Sequence, residues 1–170
     1  LLPNGPAVTV APTLPGRGQR YKFALAANQI ISVVQTQSGP FGYGVDFALI
    51  PPSQPDGFLD TIFPSGQAIV LRAGETGEYT MVASQKSSVR GTATLAINAS
   101  TQLGSLQTDG TALQWQPVRQ GAIGVMTLNA TAGRTYTISA MSPVTSQSFA
   151  VIVDDPTGLS VPFPNGNLSG

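Results

Sequence analysis

The sequence contains no cysteine and no histidine. Disulfide scaffolds, thiolate metal sites and cysteine nucleophiles are therefore excluded. So are histidine-based triads, histidine zinc sites and any side chain that ordinarily titrates near neutrality. Charge is scarce as well: eight basic and eight acidic side chains cancel, and 9% of the 170 residues are charged. Ordinary soluble domains carry roughly a quarter. No large field of one sign can form, which argues against nucleic acid or an anionic membrane as partner. No stretch approaches the ~20 apolar residues of a membrane-spanning helix, so membrane insertion is not expected. The chain opens on Leu1-Leu2-Pro3, with neither an initiator methionine nor a signal peptide. A mature or excised segment of an exported protein, extracellular or at a cell surface, is expected.

What is present points to β-structure. Hydrophobic residues make up 41% of the chain, and 19 Gly and 14 Pro punctuate it. The turn signals recur about every 8–12 residues, the spacing of an all-β sandwich or barrel. Between them lie short β-branched or alternating runs: Ala7 to Val10, Tyr21 to Leu25, Ile30 to Val34, Asp46 to Ile50 and Ala68 to Leu71. Two further runs, Glu78 to Ala83 and Gly91 to Ile97, alternate with period two. Tyr79, Met81 and Ala83 share one face of the first, and Ala93, Leu95 and Ile97 one face of the second, as in strands with one buried side. No window carries a capped 3.6-residue stripe, so helix is limited to a turn or two.

An internal repeat organises the rest. Residues 4–34 lie over 109–139 without a gap, at a constant spacing of 105 residues. Asn4-Gly5 falls on Asp109-Gly110, Val10 on Trp115, Pro12 on Pro117, Gly16 on Gly121 and Phe23 on Leu128. Ile31 and Val33 fall on Tyr136 and Ile138. After a shorter loop, Phe47 to Ile50 matches Phe149 to Ile152, and Phe63-Pro64-Ser65-Gly66 matches Phe163-Pro164-Asn165-Gly166. The expected fold class is all-β: two tandem jelly-roll or immunoglobulin-like antiparallel β-sandwich modules, complete over 1–103 and incomplete over 104–170. The second copy has no counterpart of Ala68 to Asn98. It is an excerpt of a longer array, a reduced domain, or a module whose open edge a neighbour's strand completes.

The first copy resembles the bacterial pre-peptidase C-terminal domains. The residues that carry the resemblance are Tyr21 to Gln29 followed by Ile30 to Val33, an aromatic strand, an Ala-Gly-Gln-like turn and an apolar strand. Asn28 stands where the family usually has glycine. Asp46 to Pro52 looks like the family's aspartate-led strand ending in proline, and Leu71 to Met81 is similar to its closing hairpin, with Ala73-Gly74-Glu75 replacing a proline. The match covers residues 15–98 and, more faintly, 121–166. It implies a small sandwich found beside secreted peptidases and in surface proteins, an accessory module without chemistry of its own.

No Gly-x-Ser-x-Gly elbow, Walker loop or dinucleotide fingerprint occurs, and Gly16 to Tyr21 reads as a loop before a strand. The carboxylate pairs Asp154-Asp155 and Asp56 with Asp60 could in principle serve acid–base hydrolysis. Aspartate before proline or glycine is ordinary turn chemistry, however, and no enzyme is expected. No cofactor is expected either. Calcium is the only metal the residue types would suit, with Asp154, Asp155, Asp46 and Asp56 as ligand candidates. Carbohydrate binding would need exposed aromatics. Trp115 pairs with Val10 in the repeat and so reads as core or interface, while Tyr43, within Gly39 to Gly44, is the better exposed candidate. Three Asn-x-Ser/Thr triplets begin at Asn98, Asn129 and Asn167, a common pattern in any chain rich in Ser and Thr.

The expected role is a structural or adhesive surface protein, a filament or surface-layer subunit whose partners are copies of itself or adjoining repeats. Leu2, Val8, Val10, Phe41, Tyr43, Trp115 and Phe163 are the candidate interface residues. In that picture Leu1 to Val10 adds to a neighbour's open sheet, its alternate side chains setting the register. The alternative is an accessory carbohydrate- or protein-binding module of a secreted hydrolase.

Overall fold

A computed structural model describes residues 1–11, 18–38, 45–54, 68–85, 92–141 and 151–159. The chain divides into two compact units, Leu1–Leu128 and Asn129–Gly170.

Among the described residues, the first unit contains nine strands: β1 (Val8–Val10), β2 (Gln19–Leu25), β3 (Ile30–Ser38), β4 (Val45–Ile50), β5 (Ala68–Arg72), β6 (Gly77–Gln85), β7 (Thr92–Ala99), β8 (Thr101–Leu106) and β9 (Gly124–Leu128). One sheet has the order β1-β7-β3-β5 and a second the order β2-β6-β4. Every pairing within these two sheets is antiparallel. Their inward faces share one apolar core: Val10, Ile31, Val33, Ala93, Leu95 and Ile97 from the first meet Phe23, Leu25, Phe47, Leu49, Tyr79 and Met81 from the second. This is an antiparallel β-sandwich, the expected class. The period-two expectation holds in both long strands, since Tyr79, Met81 and Ala83, like Ala93, Leu95 and Ile97, are buried. Burial of Met81, Leu95 and Ile97 is worth about 1.5–3 kcal/mol each relative to exposure. Phe23 and Tyr79 face each other across β2 and β6, and their rings stack with centroids 6.3 Å apart.

Two polar features pin the sandwich together. At one end, the turn between β2 and β3 is stitched to the turn between β5 and β6. Asn28 N–H donates to Ala73 O (2.7 Å), Ala73 N–H to Gln29 O (2.9 Å) and Ala27 N–H to Thr76 Oγ1 (2.9 Å). Asn28 adopts φ 65°, the left-handed region that Asn and Gly tolerate best. On the outer face of the four-stranded sheet, Ser32 and Asn98 lie directly opposite one another on β3 and β7 and are buried. They are covered by the segment between β8 and β9. Asn98 Nδ2 donates to Ser32 Oγ (3.1 Å) and to Gln120 O (3.0 Å), and Ser32 Oγ donates to Gly121 O. Arg119 reaches across to Asn4 O at 3.0 Å.

The remaining strands depart from the antiparallel expectation: β8 and β9 form a separate two-stranded sheet, and they pair in parallel, with an irregularity between Gln102 and Gly104. β9 falls on the second-copy counterpart of β2. Residues 111–117, the counterpart of β1 and its surroundings, are not strand.

In the second unit, the described residues include a turn at Ala132 and Gly133 closed by Arg134 N–H to Thr131 O (3.2 Å). This is the counterpart of the turn closed by Gln29 N–H to Ala26 O (3.0 Å) in the first copy. Gly133, which falls on Asn28, adopts φ 78°. Among the described residues of this unit there is no extended strand, and Asp154 alone makes an isolated bridge.

Candidate functional site

Four of the candidate interface residues, Leu2, Val8, Val10 and Trp115, lie among the described residues, and their settings differ. Val10 is fully buried in the core of its own sandwich, and Val8 packs against that core. Val8, Thr9 and Val10 pair with Leu95, Thr94 and Ala93. Asn4 extends the contact, donating N–H to Ile97 O (2.8 Å) and accepting Ala99 N–H at Oδ1 (3.0 Å). A donor role for this segment would therefore first require it to leave its own sheet. Leu2 is 72% exposed. Trp115 is 38% exposed, and its ring lies against Gly124, where an added Cβ would come within 3.1 Å of Cδ2. Phe41, Tyr43 and Phe163 lie outside the described residues.

Apolar side chains are distributed unevenly along the chain. Among the described residues, the buried apolar ones all fall between Val10 and Ile97. The exposed large ones are Leu2, Val70, Trp115, Val118, Met126, Met141, Ile152 and Leu159, six of the eight lying beyond residue 110.

Sequence reasoning did not anticipate a recess of about 520 Å³ at the stitched end of the sandwich. Leu25, Ile31, Leu49, Leu71 and Tyr79 line it, with Arg72 and Glu75 also contributing. The Glu75 carboxylate accepts Ser53 N–H at 2.9 Å, and hydrogen bonds from the Ser53 hydroxyl and amide hold its pKa below the usual glutamate value. Tyr79 fixes the turn from inside, its hydroxyl donating to Glu75 O (3.0 Å) and accepting Glu75 N–H (3.2 Å). The signal was present as the Ala73-Gly74-Glu75-Thr76-Gly77 turn, but nothing in the spacing says which side of a turn will be concave.

The carboxylates considered for calcium or catalysis are placed in different settings. Asp155 Oδ1 accepts Thr157 N–H (2.8 Å), Thr157 Oγ1–H (2.6 Å) and Leu159 N–H (3.0 Å), which lowers its pKa. This is the side-chain-to-backbone turn that Asp-Pro-Thr-Gly favours. Asp46 lies on β4, and Asp56 and Asp60 lie outside the described residues. Among the described residues, no three acidic groups come together as a metal site would require.

No family model matches the sequence, and no curated protein matches it. Among solved structures, the chain is similar to the pre-peptidase C-terminal domain of collagenase from Bacillus anthracis, with 16% identity and a TM-score of 0.47. The similarity covers 58% of this chain and 91% of that domain.

Proposed function

We propose that the chain is a non-enzymatic extracellular protein that works by contact, as a structural or adhesive component built from two β-sandwich modules over residues 1–103 and 104–170. The single observation supporting this reading is the contrast between a closed core up to Ile97 and exposed apolar side chains beyond it, from Trp115 to Leu159. Covering such groups is favourable by about 25 cal/mol per Å² of apolar surface. With a net charge of zero, attraction to a partner rests on apolar burial and backbone hydrogen bonds rather than on long-range steering. The extracellular assignment rests on composition and on the resemblance of residues 15–98 to a family found beside secreted peptidases. Negative-stain electron microscopy of the natively isolated protein tests the reading. Regular fibres, tubes or sheets are expected; discrete small particles at every concentration would overturn self-assembly.

The recess favours a second reading, an accessory module that attaches a secreted hydrolase to carbohydrate or protein. Its lining sets the apolar Pro51 and Leu71 beside Ser53, Arg72 and Glu75, and apolar surface with a few polar groups is the usual make-up of a small ligand site. That reading predicts retention on insoluble polysaccharide or on the hydrolase's polymeric substrate, lost on Leu71→Asp.

A further inference from the structure

The turn between β5 and β6 is tied to its two neighbouring turns in chemically different ways. Toward the turn between β2 and β3, the ties are Asn28 N–H to Ala73 O, Ala73 N–H to Gln29 O and Ala27 N–H to Thr76 Oγ1. Gln29 Oε1 adds a bond within that turn, accepting Ala26 N–H at 2.9 Å. Every partner in this tie is neutral, and no acidic or basic side chain lies in Ala26 to Gln29. A change of pH leaves these bonds as they are.

The other neighbour is the turn that follows β4, closed by Gln54 N–H to Pro51 O at 3.2 Å. Pro51 and Ser53 line the recess from this turn, while Ala73, Gly74 and Glu75 line it from the turn between β5 and β6. Two contacts join the pair. The Pro52 ring lies against Gly77, where an added Cβ would come within 2.6 Å of Cγ and 2.8 Å of Cβ. Ser53 N–H donates to Glu75 Oε1 at 2.9 Å. The first contact is apolar, and the second ends on a carboxylate. Tyr79, buried in the core, holds Glu75 separately through its backbone N–H and C=O. A change of charge on the Glu75 side chain therefore leaves its own turn in place and acts on Pro51 to Gln54. The other charged groups nearby are Arg72, which also lines the recess, and Glu78 on β6, which pairs with Lys22 at 2.6 Å. Pro51 to Gln54 carries none.

We propose that Ser53 and Glu75 form an acid-released latch on the recess. With Glu75 ionised, the turn of Pro51 to Gln54 is held against the turn between β5 and β6. Protonation weakens the bond, the turn of Pro51 to Gln54 lifts away, and the opening toward Leu71 and the apolar floor widens. A carboxylate accepts a hydrogen bond about twice as strongly as a neutral group, so the latch loosens in acid and does not vanish. The bonds from Ser53 hold the folded Glu75 pKa below the usual glutamate value. The closed form is thus favoured above that usual value, and the preference is lost as pH falls through the folded one. As a control on ligand entry the latch rests on the second reading above, in which the recess takes a ligand with an apolar body. As a titrating contact it stands on the geometry alone.

The test is an NMR titration of the full 170-residue chain from neutral to acid pH. As Glu75 takes up its proton, the Ser53 amide is expected to shift and to lose about threefold to tenfold of its protection from exchange, relative to the intrinsic rate. The amides of Asn28 and Ala73, in the neutral tie, should keep theirs. A soluble nitroxide should broaden the Leu71 methyl signals more in acid than at neutral pH. Glu75→Gln keeps an acceptor oxygen but has no proton to gain, and should remove the pH dependence of both readouts. Glu75→Ala should lower Ser53 protection already at neutral pH, which decides the matter even where acid unfolds the chain. A Ser53 amide indifferent to the Glu75 titration, equal Leu71 broadening throughout, or the same pH response in Glu75→Gln would overturn the latch. Retention on insoluble polysaccharide decides the ligand reading separately. A titrating Ser53 without retention removes that reading and keeps the latch, whereas retention with an indifferent Ser53 does the reverse.

Discussion

Gly121 is the most sensitive point in the cover over the outer face of the four-stranded sheet. A Cβ built there would lie 2.3 Å from Val34 Cγ2, 3.0 Å from Ala68 Cβ and 3.3 Å from Ser32 Oγ. None of these neighbours is the free end of a flexible chain, so the contact cannot be relieved by one rotamer change. The residue also has φ 70°, which costs an alanine about 1–2 kcal/mol. Overpacking adds about 1–3 kcal/mol. Gly121→Ala is thus expected to lose about 2–5 kcal/mol, limited by the energy at which residues 119–123 lift off the sheet instead. Lift-off has its own cost, because Ser32 and Asn98 would lose their bonds to Gly121 O and Gln120 O. Gly110→Ala is the control: its φ is 88° and nothing lies within 4 Å of its added Cβ, so only the backbone term of about 1–2 kcal/mol applies. Urea denaturation measures both, with unchanged m-values showing that stability alone has moved. Adding Val34→Ala to Gly121→Ala removes the closest contact and should restore part of the loss, a coupling that a double-mutant cycle resolves. Equal losses for the two glycine variants, or no coupling with Val34, would refute the packing of this segment on β3.

Three other outcomes are expected. Gln35 points into the sandwich with Ile31 and Val33, is fully buried, and finds no partner for either amide atom among the described residues; Gln35→Met should raise stability by about 1–3 kcal/mol in thermal or urea unfolding, and a loss would mean that the amide is satisfied. Tyr79→Phe removes the hydroxyl that ties the Glu75 turn and should cost about 0.5–1.5 kcal/mol while leaving the ring stack with Phe23 in place. The pKa of Asp155 is lowered by its bonds from Thr157 and Leu159. A lowered folded value means that the ionised group favours the ordered turn above the usual aspartate pKa, and that this support is lost as pH falls through the folded value. Amide protection at Thr157 and Leu159 should therefore fall in acid, and Asp155→Ala should abolish it near neutral pH.

The first sandwich was legible because its strands obey rules that act locally. Period-two alternation placed Tyr79, Met81, Ala83, Ala93, Leu95 and Ile97 inside, and Asn28 could be read as a turn residue from its place between two apolar runs. Long-range partners were not legible. Nothing in the run Val118 to Ile123 says that it returns to cover Ser32 and Asn98, because that contact depends on where two distant strands bring an Asn and a Ser together. Val10 illustrates the same limit: its apolar alternation is that of a strand, but alternation does not say whose sheet the strand will join. The parallel pairing of β8 and β9 was also out of reach. The expected class was antiparallel throughout, and nothing in Thr101 to Leu106 or Gly124 to Leu128 specifies a parallel neighbour. Of the candidate surface, the exposed side chains were visible as apolar residues, whereas their exposure depends on tertiary packing and not on any one residue.

Amide hydrogen exchange across the whole 170-residue chain tests most directly the claim that the strands between Val8 and Ala99 close a sandwich of their own. The account predicts slow exchange in β3, β6 and β7, whose ladders are flanked by a shared core, and fast exchange at residues 111–117 and 134–141, which belong to no strand. Equal protection in β3, β6 and β7 and in these two stretches would contradict it.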